Sequence, residues 1–144
     1  MIDERKQKRS DISDDRLFYF GMYHLSLAKD MRLNIPRRFV ENGLRDCAII
    51  VPDGNHLRIY EKTSFEDLLH GISKPVSNAD HAVFRFVISN AVECKIDPRF
   101  RIKIPRELAE KSNIKPGNPV VLVGVKNCAE LYDAETWKSF NANS

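Results

Sequence analysis

The sequence predicts a β-rich α+β fold in which two copies of one unit close a single small barrel flanked by short helices. The first observation is an internal repeat, since residues 27–37 and 96–106 end in the same pattern, Arg-apolar-polar-Ile-Pro-Arg. The second is an alternation of apolar and polar residues, typical of strands, at equivalent places in both copies. The third is size: a unit of four short strands cannot bury a face by itself, whereas two such units can.

The repeat continues beyond this shared pattern. The offset between matched positions grows from 69 residues (27 to 96) to 72 residues (60 to 132), so the second copy is slightly longer. Further matches occur in the same order in both copies: 48–51 with 120–123, 57–60 with 129–132, and Phe65 with Trp137. Matches in a fixed order over this length indicate a duplication.

Two short strands open each copy. An alternating strand at 23–27 or 92–96 leads through a charged turn into a second strand at 32–35 or 101–104. A wholly apolar strand and a last strand come later in each copy, at the matched positions given above. The sequence therefore predicts four strands in each copy.

Short helices are predicted between and after the strands. Pro36 and Pro105 are each expected to open a helix, because the N–H that proline lacks would have no hydrogen-bond partner in the first helical turn. An amphipathic helix ends each copy, and Phe65, Leu68 and Leu69 share one face of the first. Residues 81–88 fit a helix or a strand, and we favour the helix.

The predicted organisation has five parts: a flexible charged tail (1–16), the first unit (17–70), a linker with a connecting helix (71–90), the second unit (91–140) and a short tail (141–144). The amino-terminal tail carries a basic patch at 5–9 that is followed by acidic residues. A solvated arm is the simpler interpretation of this patch, and a DNA-tracking arm is the alternative.

Composition indicates a soluble cytoplasmic protein. The chain has 144 residues and a net charge of only +3, and it contains neither an apolar run long enough to span a membrane nor a signal peptide. Its three cysteines are widely spaced, so we expect buried thiols and not a disulfide framework or a zinc site.

Positive charge is concentrated in the repeated segment. Residues 29–45 and 95–111 each carry a balance of +3, which leaves −3 on the rest of the chain. Such clustering is expected of a surface that binds phosphates. The candidate DNA-binding residues are Lys29, Arg32, Arg37, Arg38, Arg99, Arg101, Lys103 and Arg106. The simpler alternative is that these arginines form a solvated helix face and that Asp97 merely braces its turn by pairing with Arg101.

These motifs resemble the MraZ family, whose members carry two SpoVT-AbrB-type units in one chain. The second copy keeps Asp97-x-x-x-Arg101 with Ile104-Pro105, and the first keeps Arg32 with Ile35-Pro36. The second copy also keeps Val121-Leu122-Val123-Gly124, Leu131-Tyr132-Asp133 and Trp137, so that the resemblance covers about residues 20–140.

The resemblance implies both a fold and a function. It implies swapped β-hairpins that form one pseudo-two-fold barrel, with Arg32 and Arg101 near double-stranded promoter DNA. It also implies sequence-specific transcriptional control, commonly of cell-division and cell-wall genes, by a ring-like homo-oligomer associated with the nucleoid.

Four residues depart from the family pattern. Ala28 replaces the first aspartate, Asp30 replaces a frequent lysine, and Met31 and Phe100 replace the glycine before each motif arginine. Glycine adopts positive φ easily and bulky residues resist it, so we expect both turns to differ from the usual form. As apolar residues at turn tips, Met31 and Phe100 could also contact thymine methyl groups or wedge between bases.

Rival classes of function have less support in the sequence. The four histidines occur singly and no nucleophile, phosphate-loop or dinucleotide motif is present, so we expect no catalytic residues, metal, cofactor or small-molecule substrate. One alternative is an oligomeric adaptor that has kept the fold and lost DNA binding. A single-unit antitoxin or transition-state regulator is a further alternative, against which the duplication argues.

Overall fold

A computed structural model of the protein describes residues 18–72 and 78–142. Eight strands are present in the described ranges: β1 (Met22–Ser26), β2 (Arg32–Asn34), β3 (Cys47–Asp53), β4 (His56–Glu61), β5 (Val92–Lys95), β6 (Arg101–Lys103), β7 (Pro119–Gly124) and β8 (Ala129–Asp133). Five helices accompany them: α1 (Arg37–Glu41), α2 (Lys62–Ile72), α3 (Asn78–Asn90), α4 (Arg106–Lys111) and α5 (Ala134–Ala142). Each copy thus contains four strands, as predicted.

The strands pair across the two copies. Six of them form one antiparallel sheet in the order β1-β7-β8-β4-β3-β5, and β2 pairs only with β6 in a two-stranded ribbon. In the register of the sheet, Tyr23 lies opposite Leu122, and Ala48 lies opposite Cys94. Strands β1 and β5, which are equivalent in the repeat, each add to a strand of the other copy. The hydrogen bonds between copies make one shared structure.

The expected closed barrel is wrong for the described residues. Strands β1 and β5 are the two edges of the six-stranded sheet and do not pair with each other. The β2–β6 ribbon instead lies over one face of the sheet, so the core is covered without joining the edges. Leu33 and Ile102, on the inner side of the ribbon, are fully buried in the same cluster as Ile50 and Leu131 of the sheet. The result is an α+β layered fold.

The opposite face of the sheet packs against longer helices. A second apolar cluster joins Ile49 and Tyr60 of the sheet to Phe65 of α2, with Leu68 and Leu69 beside it. The predicted apolar face of α2 is therefore confirmed. On the second copy the ring of Tyr132 lies 5.0 Å from that of Trp137 on α5. The ribbon and the helices α2, α3 and α5 consequently occupy opposite sides of the sheet.

Gly124 lies where two stretches of backbone almost touch. Its N–H donates to the Gly21 carbonyl at 2.9 Å. A Cβ at position 124 would lie 2.2 Å from the backbone nitrogen of Phe20. Only glycine fits there, which explains the glycine that ends the Val-Leu-Val-Gly motif.

The helices agree with the prediction except at their ends. The helix favoured at 81–88 is α3, and α2 extends to Ile72, inside the predicted linker. Cys47 and Cys94 are only half-buried, contrary to expectation, whereas Cys128 is buried. Helix α5 extends to Ala142, two residues into the predicted end tail. The amino-terminal tail (1–16), with its basic patch at 5–9, lies outside the described residues.

Candidate nucleic-acid interface

The β2–β6 ribbon has one buried and one exposed face. Arg32 pairs with Lys103, and Asn34 pairs with Arg101, in the antiparallel register. Residues alternate between the two faces of a strand, so these four polar side chains lie opposite the buried Leu33 and Ile102. The side chain of Arg32 is 40% exposed and that of Arg101 34% exposed, and Asn34 and Lys103 are exposed. The two copies of the motif thus lie side by side on a single surface.

The two turns that precede the ribbon strands have the same backbone geometry. The N–H of Met31 donates to the Ala28 carbonyl at 2.9 Å, and that of Phe100 donates to the Asp97 carbonyl at 2.8 Å. Met31 has φ of 74° and Phe100 has φ of 59°. This is the three-residue hairpin loop whose last residue adopts the left-handed conformation. The expectation that bulky residues change the turns is wrong, because both residues keep the conformation that favours glycine.

Each turn is held by the other copy. The Ile104 N–H donates to the Met31 carbonyl at 2.9 Å, and the Ile35 N–H donates to the Phe100 carbonyl at 2.9 Å. These two bonds extend the ribbon by one residue at each end. The backbone of each left-handed residue is therefore fixed by a strand that belongs to the opposite copy.

The side chains at the two left-handed positions have different surroundings. Met31 is only 1% exposed and belongs to the main core, whereas Phe100 is 43% exposed. Burial removes Met31 from any contact with DNA bases, so that part of the prediction is wrong. Phe100 remains available at the tip of the second turn.

Two aspartates lie beside the motif arginines. One Asp97 carboxylate oxygen accepts hydrogen bonds at 2.9 Å from the backbone N–H groups of Arg99 and Arg101, and the other accepts one from the Arg101 side chain. Asp97 also lies 3.9 Å from Arg32 of the first copy. In the first turn Asp30 accepts hydrogen bonds from the backbone and the side chain of Arg32.

Both carboxyl groups ionise more readily than usual. Hydrogen bonds from the backbone and side chain of Arg32 lower the pKa of Asp30. Partial desolvation opposes ionisation of Asp97, but the hydrogen bonds from Arg101 and Arg99 outweigh it and lower the pKa of this carboxyl as well. Each motif arginine is therefore oriented by a carboxylate that stays charged at neutral pH.

The remaining predicted residues surround the ribbon. Lys29 lies in the first turn and Arg99 in the second, while Arg37 and Arg106 begin the helices α1 and α4. All of these side chains are exposed. The guanidinium of Arg38 lies 4.8 Å from the centre of the Phe20 ring, which orients it by a cation–π contact.

Sequence reasoning missed two members of this surface. Asn34 occupies the exposed position equivalent to Lys103, and its amide can both donate to and accept from base edges. The repeat alignment carried this signal, since it places Asn34 over Lys103. Asp30 departs from the family pattern, yet it accepts hydrogen bonds from the backbone and side chain of Arg32, as Asp97 does from those of Arg101.

The described ranges contain neither a metal site nor a membrane-spanning helix. No group of three or more His, Cys, Asp or Glu side chains there could hold a metal ion. The five helices there are all too short to span a bilayer.

The fold and the site define a duplicated α+β protein with an exposed basic ribbon, a combination expected of a DNA-binding protein. A family model described as "MraZ protein, putative antitoxin-like" matches residues 87–144. A transcriptional regulator MraZ of Alkaliphilus metalliredigens is 31% identical over 129 residues, covering 88% of each chain. The chain belongs to the MraZ family.

Other relatives carry the same name. A transcriptional regulator MraZ of Desulforamulus reducens is 28% identical over 136 residues, which cover 88% of this chain and 89% of the relative. Another, of Leuconostoc mesenteroides, is 31% identical over 129 residues and covers 88% of each chain. These relatives are named as regulators and not as enzymes, so family membership confirms that the chain is not an enzyme.

Proposed function

We propose that the protein is a sequence-specific transcriptional regulator that binds double-stranded promoter DNA through the β2–β6 ribbon. The observation that carries the proposal is the convergence of Arg32 and Arg101 on one exposed face of that ribbon. The names of the relatives, transcriptional regulator MraZ, support the same function.

The dimensions of the ribbon suit the major groove. Two hydrogen-bonded strands lie about 5 Å apart, and a major groove about 12 Å wide admits such a pair. In the proposed complex Arg32 and Arg101 bond guanine O6 and N7, and Asn34 bonds adenine. Asp97 and Asp30 hold the two arginines in position before DNA arrives, which lowers the entropy lost on binding.

The surrounding cations supply contacts to the phosphate backbone. Lys29 and Arg99 in the turns, with Arg37 and Arg106 at the helix starts, flank the ribbon on both copies. Such contacts position a protein on the duplex and make its affinity depend steeply on salt. Lys103 and Arg38 complete the proposed set.

We also propose that the protein assembles with itself into a ring-like homo-oligomer. Phe86 of α3 is 49% exposed, and Val83 and Ile88 of the same helix are exposed with it. In the first copy, α3 packs against α2. The helix equivalent to α2 in the second copy is α5, and its Phe140 is 54% exposed. In the proposed assembly, apolar side chains exposed on α3 of one chain pack against α5 of the next, and such a head-to-tail contact closes rings when the rotation permits.

Assembly on this side would leave the ribbon free. Helices α3 and α5 lie on the side of the sheet opposite the ribbon, so several ribbons can meet repeated sites on one promoter. Each added ribbon raises the effective concentration of the next, which strengthens weak individual contacts. Binding of this kind would associate the protein with the nucleoid.

The test of DNA binding compares the protein with the double variant Arg32→Ala/Arg101→Ala on DNA from upstream of its own gene. At about 50 mM and about 200 mM salt, affinity should fall with a log–log slope of roughly −0.9 for each phosphate contacted. The double variant should lose preference for this DNA over unrelated duplex. If the protein binds neither duplex at low salt, the proposal fails and the adaptor alternative is favoured.

Assembly is tested by light scattering on the purified protein. The wild-type protein should have a mass several times that of one chain, and Phe86→Glu should reduce it. A wild-type protein that stays monomeric at every concentration would refute the assembly proposal while leaving DNA binding open to its own test.

A further inference from the structure

Phe100 keeps an unfavourable backbone conformation with far less burial than Met31 has at the equivalent position. Its φ of 59° lies in the left-handed region that residues with a Cβ avoid. Met31 at the equivalent position is compensated by full burial in the core, whereas Phe100 is 43% exposed. Unfavourable backbone geometry that packing does not offset is commonly kept at functional sites. The exposed ring therefore indicates contact with a molecule outside the folded chain.

Phe100 lies in a turn that adjoins the proposed DNA-binding surface. Phe100 lies between Arg99 and Arg101, and its carbonyl is fixed by the Ile35 N–H at 2.9 Å. When the ribbon enters the major groove as proposed, its turns lie at the groove, where the thymine 5-methyl is the exposed apolar group.

We propose that Phe100 is a specificity-determining residue that contacts the 5-methyl group of a thymine in the major groove. The proposal rests on the DNA-binding function proposed above. The first turn has no such contact, because Met31 is buried. The two turns of one chain thus read different bases although their backbones match, and each chain binds its site in one preferred orientation.

The test replaces thymine by deoxyuridine, which removes only the 5-methyl group. Duplexes of the bound promoter region, with all thymines or with single thymines replaced, are compared at one fixed salt concentration. Wild-type protein should bind the fully replaced duplex about three- to fourfold more weakly, as expected for the loss of one buried methyl contact. One thymine position at each contacted site should account for the loss.

Variants assign the effect to the ring. Phe100→Gly and Phe100→Asn both suit the left-handed backbone, and each should bind thymine and uracil duplexes equally while keeping the wild-type salt dependence. Met22→Ala is the control, since Met22 is 49% exposed on the face of the sheet opposite the ribbon, and it should preserve the discrimination.

Three results would overturn the proposal. Wild-type protein that binds both duplexes equally, with a normal salt dependence, would refute the methyl contact and leave the proposed function intact. Variants at position 100 that still discriminate would show that another residue reads the methyl group. Absence of binding to either duplex would overturn the proposed function together with this inference.

Discussion

Met31 and Phe100 occupy equivalent positions in the two turns and share a left-handed backbone, yet one side chain is buried and the other exposed. The carbonyl of each accepts a hydrogen bond from the opposite copy. The duplication has thus kept the backbone of the turn and changed the role of the side chain. Substitution by glycine should therefore have opposite effects on stability at the two positions.

Phe100→Gly should stabilise the protein and Met31→Gly should destabilise it. Glycine relieves about 1 kcal/mol of left-handed strain at either position. At position 31 that gain is smaller than the loss of a buried side chain, which costs about 2–5 kcal/mol. Thermal unfolding should therefore give a higher Tm for the first variant and a lower Tm for the second.

Phe100→Ala is the matched control for this comparison. It shortens the exposed ring but keeps a Cβ in the left-handed region, so its Tm should stay near the wild-type value. A Tm raised as much as in Phe100→Gly would mean that the ring, and not the backbone, is unfavourable.

Asp30→Asn and Asp97→Asn should lower stability at neutral pH and have a smaller effect in acid. Both carboxyl groups have a lowered pKa in the folded protein. Their contribution is therefore present above the ordinary aspartate pKa of about 3.9, and it is lost as pH falls through the folded-state values. Denaturant unfolding at a series of pH values measures this, and a difference that does not shrink in acid would contradict it.

Lys103→Gln should flatten the salt dependence of DNA binding. Losing one phosphate contact reduces the log–log slope by about 0.9 and weakens binding similarly on all sequences. Lys138→Gln is the control, because Lys138 is exposed on α5, on the far side of the sheet. Equal slopes for wild-type protein and Lys103→Gln would remove Lys103 from the phosphate-binding set.

Gly124→Ala should destabilise the protein by about 1–3 kcal/mol, the usual cost of forcing extra atoms into a packed site. The new Cβ would meet the backbone of Tyr19 and Phe20, which cannot move aside as a side chain can. Gly71→Ala is the opposite case, because no atom lies within 4 Å of the added Cβ. There alanine should stabilise α2 by about 0.5–1 kcal/mol, so both Tm values falling together would contradict this account.

The sequence predicted the elements better than their assembly. Proline at 36 and 105 and the alternating stretches gave the short helices and strands because these are local signals. Whether β1 and β5 meet to close a barrel depends on long-range pairing, which local patterns do not encode. The direction of the Met31 side chain likewise depends on the core that forms beneath it. The basic residues could be predicted as a surface because exposure follows from charge.

The pairing of strands across copies has a consequence during synthesis. A nascent chain that has not yet reached Arg101 contains β1 and β2 but neither of the strands to which they bond. Their backbone groups stay unpaired on the ribosome, where such edges attract other chains or chaperones. Placing both copies in one polypeptide limits this period to a single round of translation. Premature termination in the second copy would release a fragment that is prone to aggregate.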